Sequence, residues 1–325
     1  MKLRKGVAAI LVASMSITGI LSVRVLAETD YATNSEVAET LLTVEDGKKY
    51  IPLRKTFEEM GYMVSWLKES PDKVFVNMGD YLITFQDGSG TISVDEGEFT
   101  LSAAAYIEDG ITYMPTDCVA LCDNLYLYHN AIIDASVSEE EELLPLKAID
   151  TSQESVLVCT WNRYPETYVT GANITISYGD VWVFTEKEVF EWGQKNGMEK
   201  NMILRMEQLI GLPPQNGYTH FSVLRVKPED LYRPARDNEI DDTIAQLTFP
   251  EDATEEYRAW FAENAEYSYN PHRYPWTGLG YTYDWADNGT EYGLSEFILK
   301  NGAEVTVEQT YTNEEFFEYI TKPQN

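Results

Sequence analysis

YIPLRKTFEEMGYMVSW, residues 50–66, carries the clearest structural signals in the first part of the chain. Pro52 suits the first turn of a helix, because its missing N–H would have no partner there. Gly61 suits the left-handed position that ends a helix. The stretch therefore predicts a short helix that ends near Gly61.

The same opening recurs 63 residues later as YMPTD, residues 113–117, and predicts a second helix. Between the two copies, residues 73–77 and 81–85 alternate as strands, and residues 91–101 predict a further hairpin. The internal repeat therefore predicts a small module of antiparallel strands and two helices.

A resemblance to a known family rests on the first copy, in Ile51-Pro52-Leu53-Arg54, Glu58, Gly61, Val64 and Trp66. In order and spacing these residues resemble the motif of the copper amine oxidase-like N-terminal domain family. The second copy departs from it, since Asp117, Asn124 and His129 stand where an arginine, a glycine and a tryptophan are expected. The resemblance covers about residues 41–130, and we place the module at 41–134. It implies a non-catalytic α+β module of secreted and cell-envelope proteins of Gram-positive bacteria.

Membership of that family does not imply oxidase chemistry. Amine oxidase catalysis requires three histidine ligands for copper and a tyrosine-derived quinone, in a separate β-domain. The chain's three histidines, His129, His220 and His272, form no His-x-His pair, and no Asn-Tyr-Asp or Asn-Tyr-Glu sequence occurs. We therefore expect no copper and no other cofactor. Arg54 is interpreted as a structural residue that bonds backbone carbonyls or pairs with Glu58 one helical turn on.

The N-terminus predicts export. Lys2, Arg4 and Lys5 precede an uncharged run at residues 6–23, and Val25-Leu26-Ala27 suits cleavage, so residues 1–27 are predicted to be a signal peptide. The alternative is an uncleaved anchor, because the run approaches the roughly 20 residues that span a bilayer. Residues 28–40 are interpreted as a polar leader. We expect a secreted or cell-surface protein that has no membrane contact after cleavage.

The charge of the chain restricts its partners. Removal of residues 1–27 takes away four of the 24 basic residues and none of the 54 acidic ones, which leaves a formal charge of −34. Such a surface repels phosphate backbones and anionic lipids, so nucleic acid is not expected as a partner. A cell-wall or other extracellular polymer remains the expected partner.

The length of the chain favours two domains, and an acidic block marks the boundary. SEEEE at residues 138–142 has no apolar face, so residues 135–155 are predicted to be an acidic linker. Residues 156–325 mix strand and helix patterns, and we assign no family to them. Two of the strands, at 173–178 and 181–184, are predicted to form a hairpin. The fold class is α+β: a small module of antiparallel sheet and helices, followed by a larger mixed α+β domain.

The cysteines favour buried free thiols. Cys118 and Cys122 lie one helical turn apart, which suits a disulfide poorly, and Cys159 lies in a predicted strand. A bridge from Cys159 to one of the other two is the alternative.

The aromatic run at residues 274–285 gives the leading functional hypothesis. Glycine and proline interrupt it, so a loop that exposes a platform for sugar rings is expected. The ligand-binding candidates are Trp276, Tyr281, Tyr283 and Trp285. The alternative is that these aromatic residues belong to the core. On the platform hypothesis the second domain binds an envelope or host polymer, with carbohydrate the leading class.

The rival hypothesis is a hydrolase or transferase that acts on the cell wall. Its acid–base and anion-binding groups would be His220, Arg205, Glu207, Arg233 and Glu296. A Cys159–His220 dyad can also be drawn, because both residues lie on predicted strands.

Two acidic stretches are weak calcium candidates. They are residues 237–242 and the loop that contains Asp284, Asp287 and Asn288, which has some but not all of the ligand positions of an EF-hand. The interpretation favoured for both is a solvated turn.

Overall fold

The computed structural model describes residues 43–45, 47–79, 81–94, 97–270 and 272–322. The predicted signal peptide and leader lie outside the described residues. Within the described residues, no helix combines the length and the apolar character that crossing a bilayer requires.

The helices of the described part are α1 (Leu53–Glu59), α2 (Asp117–Ala135), α3 (Glu186–Asn196), α4 (Met202–Leu209), α5 (Glu255–Tyr269) and α6 (Asn313–Thr321).

Strands β1 to β9 form two antiparallel sheets in the first domain. One has the order β1-β2-β9-β8, and the other is a meander from β3 to β7. The strands are β1 (Thr43–Glu45), β2 (Lys48–Pro52), β3 (Met63–Leu67), β4 (Ser70–Asn77), β5 (Leu82–Gln86), β6 (Thr91–Val94), β7 (Gly97–Thr100), β8 (Tyr106–Glu108) and β9 (Ile111–Pro115).

The internal repeat appears in the structure as a strand pair. β2 and β9 each end at the proline that precedes a helix, and they pair antiparallel, with Ile51 opposite Met114. Both of these side chains are fully buried. Arg54 donates from Nη1 to the carbonyl of Val64 at 2.7 Å and to Glu58 at 2.9 Å, so its predicted structural role is confirmed.

The second domain contains one large antiparallel sheet in the order β11-β17-β13-β10-β12-β16-β14, and β15 also pairs with β16. Its strands are β10 (Val156–Asn162), β11 (Asn173–Thr175), β12 (Val181–Thr185), β13 (His220–Val226), β14 (Leu231–Tyr232), β15 (Tyr281–Tyr283), β16 (Tyr292–Leu299) and β17 (Glu304–Thr312). The α+β class is confirmed.

Each face of this sheet has its own apolar core. Leu224, Phe297 and Val307 belong to one core, and Phe221 and Phe316 belong to the other, to which α3, α4 and α6 contribute.

The predicted hairpin between β11 and β12 is wrong. β11 pairs with β17, and β12 lies between β10 and β16. The sequence indicates a turn between the two strands, but it does not show which distant strand pairs with each of them.

Helix α2 belongs to both domains. Residues of its first half, such as Cys118 and Leu125, pack in the core of the first domain. Tyr128 and Ile132, in its second half, pack with Trp285 of the second domain. A second contact is made by Gln215, whose side chain accepts from the backbone N–H of Thr100 at 2.8 Å and donates to its carbonyl at 2.9 Å. The two domains therefore share an ordered interface.

The segment predicted to be an acidic linker, residues 135–155, packs partly against the second domain. Leu146 and Ile149 are buried, and their N–H groups donate to the carbonyls of Thr243 and Ile240. The apolar residues that follow the acidic block supply this attachment, and the block itself forms a 3-10 turn at Glu140–Glu142.

The three cysteines are free and buried, as the sequence favours. Cys118 and Cys122 lie in the core of the first domain, and Cys159 lies in a core of the second. Burial raises the pKa of each thiol.

Candidate functional site

The aromatic run of the second domain is buried, so the expectation of an exposed platform there is wrong. The exposed fractions are 5% for Trp276, 1% for Tyr281, 9% for Tyr283 and 3% for Trp285. The alternative interpretation, that these residues are core, is the one the structure supports.

Parts of the chain outside the run cover it. The ring of Trp285 packs edge-on against Tyr128 of α2, with 5.6 Å between centroids, and the hydroxyl of Tyr283 donates to Asp134 at 2.8 Å. The hydroxyl of Tyr281 donates to the carbonyl of Glu142, which follows α2. The run therefore binds this protein's own first domain and the segment after it.

The charged candidates of the enzyme hypothesis are held by structural contacts. Arg205 forms a buried bidentate pair with Asp284, at 2.6 and 3.0 Å. Arg233 is 1% exposed, and its guanidinium donates to backbone carbonyls, including those of Lys147 and Gly280. Neither guanidinium is free to hold an anion.

Two buried carboxyl groups have strongly raised pKa values. Burial raises the pKa of Glu207 to about 7, although the side-chain and backbone N–H groups of Asn216 work against the rise. Burial likewise raises the pKa of Glu296 to about 8, against the opposing charge of Arg233. The indole N–H of Trp276 faces the Glu296 carboxyl and, like the charge of Arg233, works against the rise in its pKa.

His220 lies apart from these groups, at the start of β13, where its Nδ1 shares a hydrogen bond with the hydroxyl of Thr219 at 2.8 Å. The Cys159–His220 dyad is absent from the structure. Cys159 pairs with Val223 and His220 pairs with Asn162, so the two lie three residues apart in register. An odd offset of this kind points the two side chains to opposite faces of the sheet.

The calcium candidates form hydrogen-bonded turns. Asp284 is occupied by Arg205 and also accepts from the side chain of Asn288 at 3.0 Å. In the other stretch, the carboxylates of Asp237 and Asp242 both accept from the side-chain amide of Gln246. Both stretches are therefore held by side-chain hydrogen bonds, and in the second the carboxylate oxygens of Asp237, Glu239 and Asp242 lie within 4.8 Å of one another.

A partly exposed group of aromatic residues lies elsewhere, and the sequence did not reveal it. The aromatic strip, as we name it, consists of Trp182 on β12, Tyr232 on β14, and Tyr257 and Trp260 on α5. Trp260 stacks on Tyr257 with 5.4 Å between centroids and packs edge-on against Tyr232, also at 5.4 Å. Trp182 is 41% exposed.

The sheet and one helix position the strip. Trp182 and Tyr232 both stand opposite Ile298, on the two strands that flank β16, so they share one face about 10 Å apart. Tyr257 and Trp260 are three residues apart on α5, whose N-cap Thr254 accepts from the N–H of Tyr257. The helical spacing of α5 was visible in the sequence, but the strand partners were not.

An open groove of about 980 Å³ adjoins the strip, and Tyr232 and Tyr257 belong to its lining. The hydroxyl of Tyr232 donates to Asp180, and that of Tyr257 donates to the carbonyl of Arg233, so both rings are held in place. None of the five acid–base candidates lines this groove. The arrangement can bind a chain-like ligand through ring contacts.

Comparison with protein families agrees with the motif in the first domain. Residues 32–122 match the family model of the copper amine oxidase N-terminal domain. The chain therefore contains a copper amine oxidase N-terminal-like domain. The match begins within the predicted leader and ends inside α2, before the second domain. No curated protein matches the chain.

Proposed function

We propose that this is an exported, non-catalytic protein of the cell surface or surroundings. Its copper amine oxidase N-terminal-like domain serves attachment or spacing, and its second domain binds a cell-wall or other extracellular polymer, with carbohydrate the leading class. The aromatic strip beside the groove carries the proposal. Sugar rings present apolar faces that stack on aromatic side chains, and burial of apolar area contributes roughly 25 cal/mol per Å².

The hydrolase or transferase alternative has one observation in its favour. Glu207 and Glu296 have pKa values raised towards neutrality, which is typical of acid–base catalysts. Their surroundings argue against that role, since Glu207 holds Asn216 and Glu296 is buried behind Trp276. The proposal therefore predicts no turnover of cell-wall polymers by the purified protein.

The test is co-sedimentation of the purified protein with insoluble polysaccharides, namely peptidoglycan sacculi, chitin and cellulose. Trp182→Ala removes an exposed ring of the strip and should weaken binding to the preferred polymer about tenfold, with the melting temperature nearly unchanged. Tyr164→Ala is the matched control, because Tyr164 is 54% exposed and lies outside the strip. Equal binding by the wild type and Trp182→Ala would remove the strip from the proposal.

The module is proposed to be chemically silent. Purified protein should hold no stoichiometric copper and should release no peroxide when amines are added. Copper analysis of the protein after incubation with one equivalent of Cu²⁺ and gel filtration measures this, and tight retention of copper would contradict it.

A further inference from the structure

The groove beside the aromatic strip is lined by an excess of negative charge. Its lining includes five exposed carboxylates, contributed by Glu154, Glu229, Glu239, Asp241 and Glu256. They come from separate parts of the chain, so the negative charge surrounds the groove rather than lying in one acidic loop.

The two lysines that line the groove do not balance this charge. Lys227 lies 3.8 Å from a carboxylate oxygen of Glu229, and Lys300 donates to the backbone carbonyl of Glu229 at 2.6 Å. Outside the lining, Asp237 and Asp242 add further negative charge near Glu239 and raise the pKa of its carboxyl. A ligand in the groove therefore meets a negative potential beside rigid aromatic rings.

We infer that the polymer held in the groove is an amine-bearing glycan, whose protonated amino groups face the carboxylates while its sugar rings lie against Tyr232 and Tyr257. This inference rests on the proposed function and specifies its ligand. Ammonium groups are attracted both to carboxylates and to the faces of aromatic rings, so the two features of the groove favour the same ligand chemistry. An anionic polymer such as a phosphate-linked one is repelled from it.

A matched pair of ligands tests the charge directly. Glucosamine oligomers and their fully N-acetylated counterparts of equal length have the same rings, and only the former carry amines. Calorimetric titration of the full protein at mildly acidic pH and low salt should show the glucosamine oligomer binding about tenfold more tightly, because several ion pairs add to the ring contacts. Added salt should remove most of that advantage.

A charge-neutralised variant locates the effect. Glu239→Gln with Asp241→Asn should reduce binding of the glucosamine oligomer several-fold and leave binding of the acetylated oligomer unchanged. The control is Glu263→Gln with Glu304→Gln, which removes the same formal charge from exposed positions outside the groove and should have no effect. Circular dichroism of both variants confirms that they are folded.

The outcomes separate this inference from the proposed function. Equal affinity for the two oligomers, insensitive to salt but lost in Trp182→Ala, overturns the inference and leaves glycan binding in place. Failure to bind either oligomer or any of the insoluble polysaccharides overturns both. Binding of oligolysine without binding of glucosamine oligomers overturns the inference in favour of a basic peptide.

Discussion

The aromatic run at residues 274–285 and the aromatic strip contain similar side chains, but their exposure differs. The run contributes Trp276, Tyr281, Tyr283 and Trp285, and the strip consists of Trp182, Tyr232, Tyr257 and Trp260. The run is dense in sequence and buried in space. The strip is scattered over more than seventy positions of sequence and comes together only in the folded sheet. The density of aromatic residues along a chain therefore says little about their exposure, because exposure depends on which other segments cover them.

The covering segments explain the contrast. α2 and the acidic block that follows it lie over the run, and they supply Tyr128, Asp134 and the carbonyl of Glu142 as partners. Trp276 forms a link between the two regions, since its buried ring contacts both Trp182 and Trp260 of the strip. The run therefore supports the strip from behind and attaches the first domain to the second.

The largest effect is expected at Trp285. Trp285→Ala should lower the free energy of unfolding by about 3–5 kcal/mol, because a fully buried indole is replaced by a cavity. The carbonyls of Glu207 and Leu212 also lose the hydrogen bond that each accepts from the indole N–H. Urea unfolding measures this, and Trp182→Ala is the control, with an expected loss below about 1 kcal/mol. A small loss at Trp285 would show that the run is not core.

The pH dependence of stability reports on both regions. Glu207, beneath Trp285, has a pKa of about 7, and Glu296, behind Trp276, has a pKa of about 8. Both values lie above that of an unfolded glutamate, so between pH about 4.5 and 8 the folded state holds protons that the unfolded state releases. Stability should therefore fall as pH rises through this window, by up to about 1.4 kcal/mol per pH unit for each group.

Repulsion among the many surface carboxylates also lowers stability as pH rises. Replacing Glu207 or Glu296 with the neutral glutamine therefore isolates the contribution of each buried carboxyl. Glu296→Gln and Glu207→Gln should each be more stable than the wild type at the upper end of the window and should flatten the dependence on pH. Urea unfolding at several pH values gives the slopes. If the slope of the free energy of unfolding against pH is the same in both variants as in the wild type, neither carboxyl is held in its neutral form.

A smaller effect is expected at the hydroxyl of Tyr283, which forms a hydrogen bond from the aromatic run to α2. Tyr283→Phe removes the hydrogen bond to Asp134 and keeps the ring, so a loss of about 1 kcal/mol is expected. Tyr164→Phe, at an exposed position, is the control and should change stability by a few tenths of a kcal/mol at most. An equal, negligible loss in both variants would indicate that this contact adds nothing to the interface.

Local patterns predicted the elements of this fold better than they predicted their partners. Pro52 stands directly before α1, Pro115 stands two residues before the start of α2, and Gly61 has the positive φ, 94°, of a residue that ends a helix. The sequence did not predict that β11 pairs with β17 instead of β12. The apolar pattern of a strand shows which side chains face inward, but not which strand lies beside it. The sequence also did not show that Leu146 and Ile149, which follow the charged block, are buried against the second domain.

The candidate site shows the same limit. Arg205 and Asp284 are 79 positions apart, so nothing local revealed that one neutralises the other. Trp182 belonged to an ordinary strand pattern, and its neighbour Tyr232 lies on a strand of only two residues. The spacing of Tyr257, Trp260 and Phe261 on α5 was the one signal available, and it is equally typical of a helix face that packs on the core.

The most direct measurement is the two-dimensional NMR spectrum of the indole N–H groups during titration with glucosamine oligomers and their acetylated counterparts. The chain has seven tryptophans, which single substitutions assign one by one. The account predicts that the signals of Trp182 and Trp260 shift on addition of ligand, while those of Trp285 and of Trp66, in the first domain, stay in place. Shifts at Trp285 with Trp182 and Trp260 unchanged would contradict it, because the run and not the strip would then be the binding surface.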